Sequence, residues 1–402
     1  MNEHTATENL LNRCLTDKRY RDAIDRRIDG IVDLIDRGHD SKSIVKSAGK
    51  HGGSEITFLI EIARSRVRTR GKFSRSNRLW LDDYTARYST PEAVARYRAQ
   101  RISGETILDI GSGGGMQAIF FSESNTVRGL EKDRIRYLES QINAQVYGAK
   151  NLEFINSEWP VPESNDSDLK DALIFSDPLR ESGSRERELK NLVPSPADII
   201  RNYSGITEKF VFDITPQIRR AKLGIDAETE YISVNGSLNR LTLYCGPMKS
   251  AESSAVILPA GIRISGEYEL PNFQSAEKVL DFIELPDPSL IYAGLVNQVK
   301  KLGDFRILAE DKRRIVLTSS VSPEEPFPGK IYRNLAVCQV DEVHEKLIEI
   351  GAGKIYPRFE IQPEEYYAMK NRFEAAASGD REIFIFRVGT GYVLSEQEAN
   401  HQ

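Results

Sequence analysis

The sequence predicts an α/β fold in which a parallel β-sheet flanked by helices follows a helical region and precedes a small α+β domain. From Thr106 onward, short apolar segments alternate with helical ones, an order that is typical of parallel sheets. The first apolar segment runs into glycines on alternate positions, Gly111, Gly113 and Gly115. Loops of this kind join a strand to a helix in sheets that bind nucleotide cofactors. We therefore expect three parts, covering residues 1–90, 91–275 and 276–402.

The first part is predicted to be helical, because Ile24, Ile28, Ile31 and Ile35 recur at helical spacing with charged residues between them. At its end, Thr90-Pro91-Glu92 offers a capping side chain, a proline suited to the first helical position and an acid for the first turn. These signals predict a helix over residues 91–101 that leads into the first strand.

Five strands and a closing hairpin make up the predicted sheet. Asn235-Gly236 is a strong turn signal between two strand-like runs, 231–234 and 238–244, so we expect the sheet to end with an antiparallel pair. A helix is predicted over 133–146. The five strands are predicted at residues 106–110, 126–130, 152–155, 172–175 and 210–214.

The C-terminal part lacks this regular alternation and predicts a small α+β domain with its own core. Its helices are expected at residues 288–301, 341–350 and 363–377. Its strands are expected at residues 306–309, 315–318, 334–339, 354–358 and 382–388.

Length and composition limit the class of protein. At 402 residues the chain is too long for one ordinary core, and 40% hydrophobic with 29% charged residues is typical of a globular protein. No apolar run approaches the roughly 18 residues that a membrane-spanning helix needs, and the N-terminus lacks the order of a signal peptide, so we expect a cytoplasmic protein. Isolated cysteines and scattered histidines predict neither a disulfide nor a metal site, and we expect core thiols at Cys14, Cys245 and Cys338.

Asp109 lies two residues before the first glycine and bears on the choice of cofactor. A carboxylate at this point would repel the anionic pyrophosphate of a dinucleotide. It would attract S-adenosylmethionine (AdoMet), which carries an ammonium and a sulfonium group. The spacing from Gly113 through Gly115 to Ala118 also fits the dinucleotide fingerprint, so NAD stays an alternative. The first prediction is a Rossmann-like AdoMet site.

Polar residues follow the predicted strands in order, and in such sheets the ligand lies across the carboxyl ends of the strands. We expect Glu131 to accept the ribose hydroxyls, Ser157 and Glu158 to bond the adenine, and Asp177 to lie near the methyl group. A carboxylate that caps a helix is the structural alternative for each acid. The predicted cofactor-binding residues are Asp109, Gly111, Ser112, Gly113, Gly115, Glu131, Lys132, Ser157, Glu158 and Asp177.

A basic segment precedes the sheet, and no acid interrupts it. Together with Phe73 and Trp80, it could follow a phosphate backbone and stack an unpaired base. A solvated, basic helix end is the alternative interpretation. The predicted nucleic-acid-binding residues are Arg64, Arg66, Arg68, Arg70, Lys72, Arg75 and Arg78.

The chain resembles the class I methyltransferases that carry a C-terminal THUMP-like domain. The resemblance extends from about Arg78 and includes Ser89 to Glu92, the glycine loop, Asp177 to Arg180, Tyr231 to Gly236, and Leu285 to Pro288. It implies the class I Rossmann-like fold, and the THUMP-like domain implies an RNA substrate, usually tRNA. The catalytic half is also similar to trimethylguanosine synthases, which share the Thr-Pro-Glu helix.

The segment Ser176-Asp177-Pro178-Leu179-Arg180 departs from two related patterns. Class I enzymes that act on amino groups have a second proline and an aromatic residue where this chain has Leu179 and Arg180. Trimethylguanosine synthases have Ser-Pro-Pro-Trp where this chain has Ser176 to Leu179, so the tryptophan that holds a cap guanine is absent. Neither N6-adenine methylation nor cap hypermethylation therefore carries over. The predicted catalytic residues are Asp177, Pro178 and Arg180. Asp177 and the Pro178 carbonyl would orient the target nitrogen, and Arg180 would hold a phosphate or a guanine edge.

The functional hypothesis is an AdoMet-dependent RNA base methyltransferase that acts on tRNA, on a guanine nitrogen. No cysteine lies near the fourth strand, which disfavours covalent 5-methylpyrimidine chemistry. Three alternatives stay open: an NAD-dependent oxidoreductase, an inactive RNA-binding protein with a methyltransferase fold, and a small-molecule methyltransferase.

Overall fold

The computed structural model describes residues 3–48, 55–160, 169–180, 188–218, 220–311, 314–362, 364–375 and 377–398. The chain forms two compact units. The first comprises Met1–Ala227 and Leu241–Ser250, and the second comprises Glu228–Arg240 and Ala251–Gln402. The helical region that the sequence predicts and the parallel sheet therefore lie in the same unit.

The N-terminal helices pack through apolar faces at helical spacing. On the second helix, Ile24, Ile28 and Ile31 are buried, as the periodicity predicts, and Asp17 caps its first turn by accepting a hydrogen bond from the Tyr20 amide. These helices share a core with Trp80 and with the helix that follows the second strand. Their bounds are α1 Glu3–Thr16, α2 Lys18–Asp36, α3 Ser41–Ala48 and α4 Ile56–Arg68.

Two further helices lead to the sheet, α5 Asp83–Tyr88 and α6 Glu92–Arg101. The cap of α6 is Pro91, one residue later than the predicted cap, Thr90, which is itself buried. The predicted helix is otherwise confirmed.

The first unit contains five parallel strands and one antiparallel strand. Their bounds are β1 Thr106–Ile110, β2 Thr126–Leu130, β3 Leu152–Ile155, β4 Leu173–Ser176, β7 Phe210–Ile214 and β9 Ser237–Cys245. The strand order is β3-β2-β1-β4-β7-β9, and β9 runs antiparallel to β7. Four predicted strands have the predicted bounds, and β4 begins and ends one residue later than predicted.

The helices described between these strands are α7 Met116–Phe121, α8 Arg134–Tyr147 and α9 Pro196–Tyr203. Two short strands, β5 Leu179–Arg180 and β6 Leu192–Val193, pair with each other after β4. The predicted turn at Asn235-Gly236 joins β8 Ala227–Val234 to β9, with positive φ at both turn residues.

The second unit contains β8, β10 and β11 as neighbouring strands, and a separate seven-stranded sheet in the order β13-β14-β12-β15-β18-β17-β16. The predicted helix over 288–301 is divided, because Gly294 adopts a left-handed conformation and ends α10. A 3₁₀ helix, Val296–Leu302, follows. Strands β10, β11, β12 and β18 lie outside every predicted strand. Pro363, the expected start of the last helix, lies outside the described residues.

The bounds in this unit are β10 Ser253–Leu258, β11 Ile262–Gly266, β12 Phe282–Pro286, α10 Pro288–Ala293, β13 Arg306–Glu310, β14 Ile315–Ser319, β15 Gly329–Cys338, α11 Val343–Glu349, β16 Ala352–Pro357, α12 Tyr366–Glu374, β17 Arg381–Val388 and β18 Gly391–Gln397.

All three cysteines are buried free thiols, which confirms their predicted place in the core. Burial raises the pKa of the Cys14 and Cys245 thiols to about 12. Within the described ranges, every helix is too short or too polar to cross a lipid bilayer.

Candidate active site

The glycine loop turns sharply at the end of β1. Gly111, Gly113 and Gly115 all have positive φ, between 56° and 80°, a conformation that glycine adopts without steric cost. The amides of Gly111 and Ser112 both donate to the Leu130 carbonyl, at 3.0 and 2.8 Å. The loop is therefore attached to the end of β2, and α7 begins directly after it.

Neighbouring side chains fix the shape of this loop. Asn143, fully buried on α8, donates its amide to the Gly114 carbonyl at 3.0 Å and to the Trp80 carbonyl at 2.8 Å. A Cβ atom at Gly114 would clash with Leu81 and would lie 3.6 Å from Thr85 of α5. The loop thus packs between α5 and α8 and is held from both sides.

Asp109 is the most unusual group at this end of the sheet. Its side chain is only 2% exposed, and its Oδ2 atom has no hydrogen-bond partner among the described residues. Burial, together with the nearby charges of Asp177 and Glu131, raises the pKa of this carboxyl to about 8, and Arg98 opposes the shift. A cationic ligand would lower the pKa of Asp109, because it would supply both a hydrogen-bond donor and a compensating charge.

Glu131, at the end of β2, binds the glycine loop from the other side. One carboxylate oxygen accepts the Gly113 amide and the other accepts the Asp133 amide, each at 2.8 Å. Glu131 therefore stabilises the loop and the start of α8. Capping a helix in this way is the structural role that was the alternative to ribose binding. Each oxygen retains a second lone pair with which it can accept a hydroxyl.

The predicted adenine-side residues form a separate, exposed group. Lys132 pairs with Glu158 at 2.9 Å, both largely solvent-exposed. The Ser157 hydroxyl donates to the Glu158 carbonyl at 3.2 Å. Asn156, which the sequence reasoning did not single out, donates to the carbonyls of Glu131 and Lys132 and so connects the ends of β3 and β2.

Asp177 and Pro178 follow β4, which lies beside β1. The Ser176 hydroxyl donates to the Ile110 carbonyl at 3.0 Å and holds the two strand ends together. Asp177 is half-buried and close enough to Asp109 to raise its pKa, while Pro178 is buried and Leu179 is exposed. The Arg180 backbone pairs with Leu192, but its side chain lies outside the described part of the structure.

A buried arginine balances part of this negative charge, and the sequence reasoning missed it. Arg98 on α6 is fully buried and pairs with Asp213 on β7 at 2.9 Å. It also donates to Gln117 at 2.5 Å and to Thr242 at 3.1 Å. One signal existed in the sequence, since an acid within the apolar segment 210–214 requires a buried partner.

A small, open pocket with a cavity volume of about 80 Å³ is lined by the glycine loop, Asp109 and Asp177. The rings of Tyr84 and Tyr88 on α5 line its other side, with centroids 4.7 Å apart. They are 38% and 57% exposed. These rings were not among the predicted site residues, because they lie on a helix at least 18 positions before the strand that carries Asp109.

The basic segment is largely paired with acids from other elements. Arg66 is only 2% exposed and contacts Asp25 and Asp29 of α2. The remaining pairs are Arg68 with Asp83 at 3.3 Å, Arg70 with Asp36 at 2.7 Å and Arg78 with Asp29 at 3.3 Å.

The other three basic residues of the segment lie in different surroundings. Lys72 donates to the carbonyls of Ala86 and Arg87, Arg75 donates to the Val146 carbonyl, and Arg64 is exposed. The absence of acids within the segment therefore did not predict an unpaired basic surface.

The two aromatic residues of the segment are buried, which corrects the expectation that they stack a base. Phe73 is 3% exposed, and Trp80 is fully buried against Phe58. Neither ring presents a face to solvent, because both belong to apolar cores.

The whole chain is similar to a solved structure, that of a candidate methyltransferase from Porphyromonas gingivalis W83. The similarity covers 94% of this chain and 98% of that one, with a TM-score of 0.72 and 15% sequence identity. The chain has the Rossmann-like fold of class I methyltransferases.

Two other solved structures match only part of the chain. A precorrin-6y C5,15-methyltransferase from Geobacter metallireducens GS-15 is 15% identical, with coverage of 40% and 90% of the two chains and a TM-score of 0.28. A dimethyladenosine transferase from Plasmodium falciparum is 12% identical, with coverage of 38% and 61% and a TM-score of 0.27. No protein-family model matches the sequence, and no curated protein matches it.

Proposed function

We propose that this protein is an AdoMet-dependent methyltransferase that modifies a base of RNA, with tRNA as the substrate and a guanine nitrogen as the target. The observation that carries the proposal is the buried Asp109 side chain beside a glycine loop in the class I fold, because its Oδ2 atom has no partner within the part of the chain that the structure describes.

The residues around the loop fit the charges of AdoMet. Asp109, Glu131 and Asp177 place three carboxylates around one strand-end region, and the buried Arg98 is already paired with Asp213. A ligand with ammonium and sulfonium groups lowers the cost of this negative charge, whereas a pyrophosphate increases it. NAD, the alternative cofactor, is disfavoured because it carries such a pyrophosphate.

Each residue has a proposed role in binding. Asp109 and the loop from Gly111 to Gly115, including Ser112, hold the methionine moiety. Glu131 accepts the ribose hydroxyls, while Ser157, Glu158 and Lys132 border the adenine. Bound AdoMet supplies the electrophilic methyl group.

The protein's contribution to the chemistry is mainly positional. Asp177 and the Pro178 carbonyl orient the target nitrogen, and alignment of reacting atoms is worth on the order of 7 to 11 kcal/mol. Asp177 also accepts the proton that an exocyclic amine loses, whereas an endocyclic nitrogen with a free lone pair needs no base. Arg180 is proposed to hold a phosphate or the edge of the guanine.

The choice of RNA depends on the C-terminal part, whose sequence resembles THUMP-like domains, and on the remaining cations of the basic segment. Arg64 and Arg75 are the proposed phosphate contacts, because Arg66, Arg68, Arg70 and Arg78 already contact carboxylates. An inactive RNA-binding protein and a small-molecule methyltransferase are the alternatives that an activity assay separates from this proposal.

The test is methyl transfer from labelled AdoMet to unmodified tRNA, followed by mass spectrometry of the nucleosides. We expect the wild type to produce a methylated guanosine, and Asp177→Asn to lower kcat at least 100-fold, as is typical for loss of an acid–base group. Asp171→Asn is the matched control, since Asp171 is an exposed acid just before β4 with a positive φ that asparagine tolerates.

Three outcomes would contradict parts of the proposal. Equal activity of wild type and Asp177→Asn would remove Asp177 from the mechanism. Binding of AdoMet and tRNA without transfer would favour the inactive binding protein. Methylation of small amines but not of tRNA would favour the small-molecule enzyme.

A further inference from the structure

We propose that Tyr84 and Tyr88 form the surface on which the unpaired target base stacks during methylation, an inference that rests on the proposed function. The segment after β4 lacks an aromatic ring, because Leu179 and Arg180 follow Pro178. The fold supplies two rings from a different element, α5, and both line the pocket that contains Asp109 and Asp177.

The two rings form one surface. Residues four apart lie on the same face of a helix, and these ring centroids are 4.7 Å apart at an interplanar angle of 45°. Both remain partly exposed although each carries a large apolar area. Covering such an area with a flat apolar ligand is favourable, because it removes that surface from water.

The position of α5 relative to the cofactor loop is fixed by several contacts. Thr85 packs against the glycine loop, and Asp82 caps α5 by accepting the Thr85 amide at 2.5 Å. Arg136 of α8 donates to Asp82 at 2.8 Å and lies 4.9 Å from the centre of the Tyr84 ring. The rings are thus attached to the loop that positions the proposed methyl donor.

The pocket also contains a polar group suited to the edge of a base. Asp177 lies near Tyr84, since its charge is among those that shift the Tyr84 pKa upward, although burial is the main cause. The aromatic surface suits the flat face of a ligand, and the carboxylate suits an N–H edge. A purine with an exocyclic amine has both features. An aliphatic amine would use only the carboxylate.

The experiment compares Tyr84→Ala and Tyr88→Ala with Tyr84→Phe, Tyr88→Phe and a control, Tyr367→Ala. Tyr367 is a more exposed tyrosine on α12 of the second unit. Calorimetry measures AdoMet affinity, and kinetics at saturating AdoMet measure kcat/KM for unmodified tRNA. A third arm follows fluorescence of a single-stranded RNA that contains 2-aminopurine, with S-adenosylhomocysteine present.

Each alanine change is expected to lower kcat/KM for tRNA by about 5- to 150-fold, the range for loss of one stacked base. AdoMet affinity should stay within about twofold. The phenylalanine variants should keep most of the activity, because the ring face rather than the hydroxyl makes the contact. The Tyr367→Ala control should match the wild type.

The fluorescence arm separates this inference from the proposed function. Quenching of 2-aminopurine by wild type but not by Tyr88→Ala supports the stacking surface even if no methyl group is transferred, in which case the proposed function fails alone. Equal quenching by the wild type and both alanine variants overturns the stacking surface whatever the activity. A loss of activity explained entirely by weaker AdoMet binding overturns it as well.

Discussion

The strand-end acids and the basic segment were both predicted as binding regions, but their charged side chains lie in different surroundings. Asp109, Glu131 and Asp177 lie at the ends of three separate strands, and the charges of Glu131 and Asp177 are close enough to raise the pKa of Asp109. The arginines of the basic segment are close together in sequence, yet four of them contact acids from α2 or α5. Proximity in sequence was therefore the weaker guide to an available charge.

The difference follows from how each element places its side chains. Parallel strands align their carboxyl ends at one edge of the sheet, so residues just after each strand meet there. A charged helix face instead meets whichever helix packs beside it. For this chain that neighbour is α2, whose Asp25, Asp29 and Asp36 receive arginines from the basic segment.

The largest expected effect concerns Asp109. Its folded-state pKa, about 8, exceeds the ordinary value of 3.8, so ionisation favours unfolding and ligand-free stability is lost as pH rises from about 4 to about 8. Asp109→Asn removes this loss. We expect the stability of the variant relative to wild type to increase over that window by up to about 5 kcal/mol, since each pKa unit is worth about 1.4 kcal/mol.

Urea unfolding of both ligand-free proteins at pH 4, 6 and 8 measures this difference. Glu158→Gln, which changes an exposed acid at the same end of the sheet, is the control and should show no such trend. A pH-independent difference between Asp109→Asn and wild type would show that Asp109 is ionised without a ligand.

A smaller effect is expected from Arg66→Ala. Removing one partner of a buried ion pair leaves Asp25 with only the more distant Arg78, at 4.0 Å, and loss of a buried partner costs about 3 to 5 kcal/mol. Arg64→Ala, on the same helix but exposed, should change stability by less than about 0.5 kcal/mol. If Arg66→Ala folded with wild-type stability and bound tRNA more weakly, the contrast between the two regions would be lost.

The smallest expected effect comes from two alanine substitutions in the glycine loop, which together distinguish backbone strain from overpacking. Gly111 and Gly115 have nearly equal positive φ, but only at Gly115 would a Cβ meet neighbours, Phe154 at 2.7 Å and Ser140 at 2.8 Å. We expect Gly111→Ala to cost about 1 to 2 kcal/mol and Gly115→Ala to cost about 1 to 3 kcal/mol more, from overpacking. Thermal unfolding measures both, and equal losses would show that Phe154 moves aside freely.

Much of the first unit could be predicted from the sequence, because buried parallel strands are short apolar runs bounded by turns. The second unit was harder. Strand β11 alternates between half-buried and exposed residues, and β12 buries Glu284, whose pKa burial raises to about 7. Neither matches the apolar run by which the first five strands were identified.

The candidate site was predictable only where its residues follow strands. Asp109, Glu131 and Asp177 were identified because their strands were identified. Arg98, Tyr84 and Tyr88 were missed, since their helices reach the site through packing that no local pattern encodes.

Calorimetric titration of AdoMet into wild type and Asp109→Asn tests the central claim most directly. We expect binding to the wild type and a loss of about 30-fold or more in the variant, because an interaction with a desolvated charge is worth about 2 to 5 kcal/mol. NAD should not bind measurably. Equal AdoMet affinity in the two proteins, or tight binding of NAD in place of AdoMet, would contradict the assignment of the buried carboxylate to a cationic cofactor.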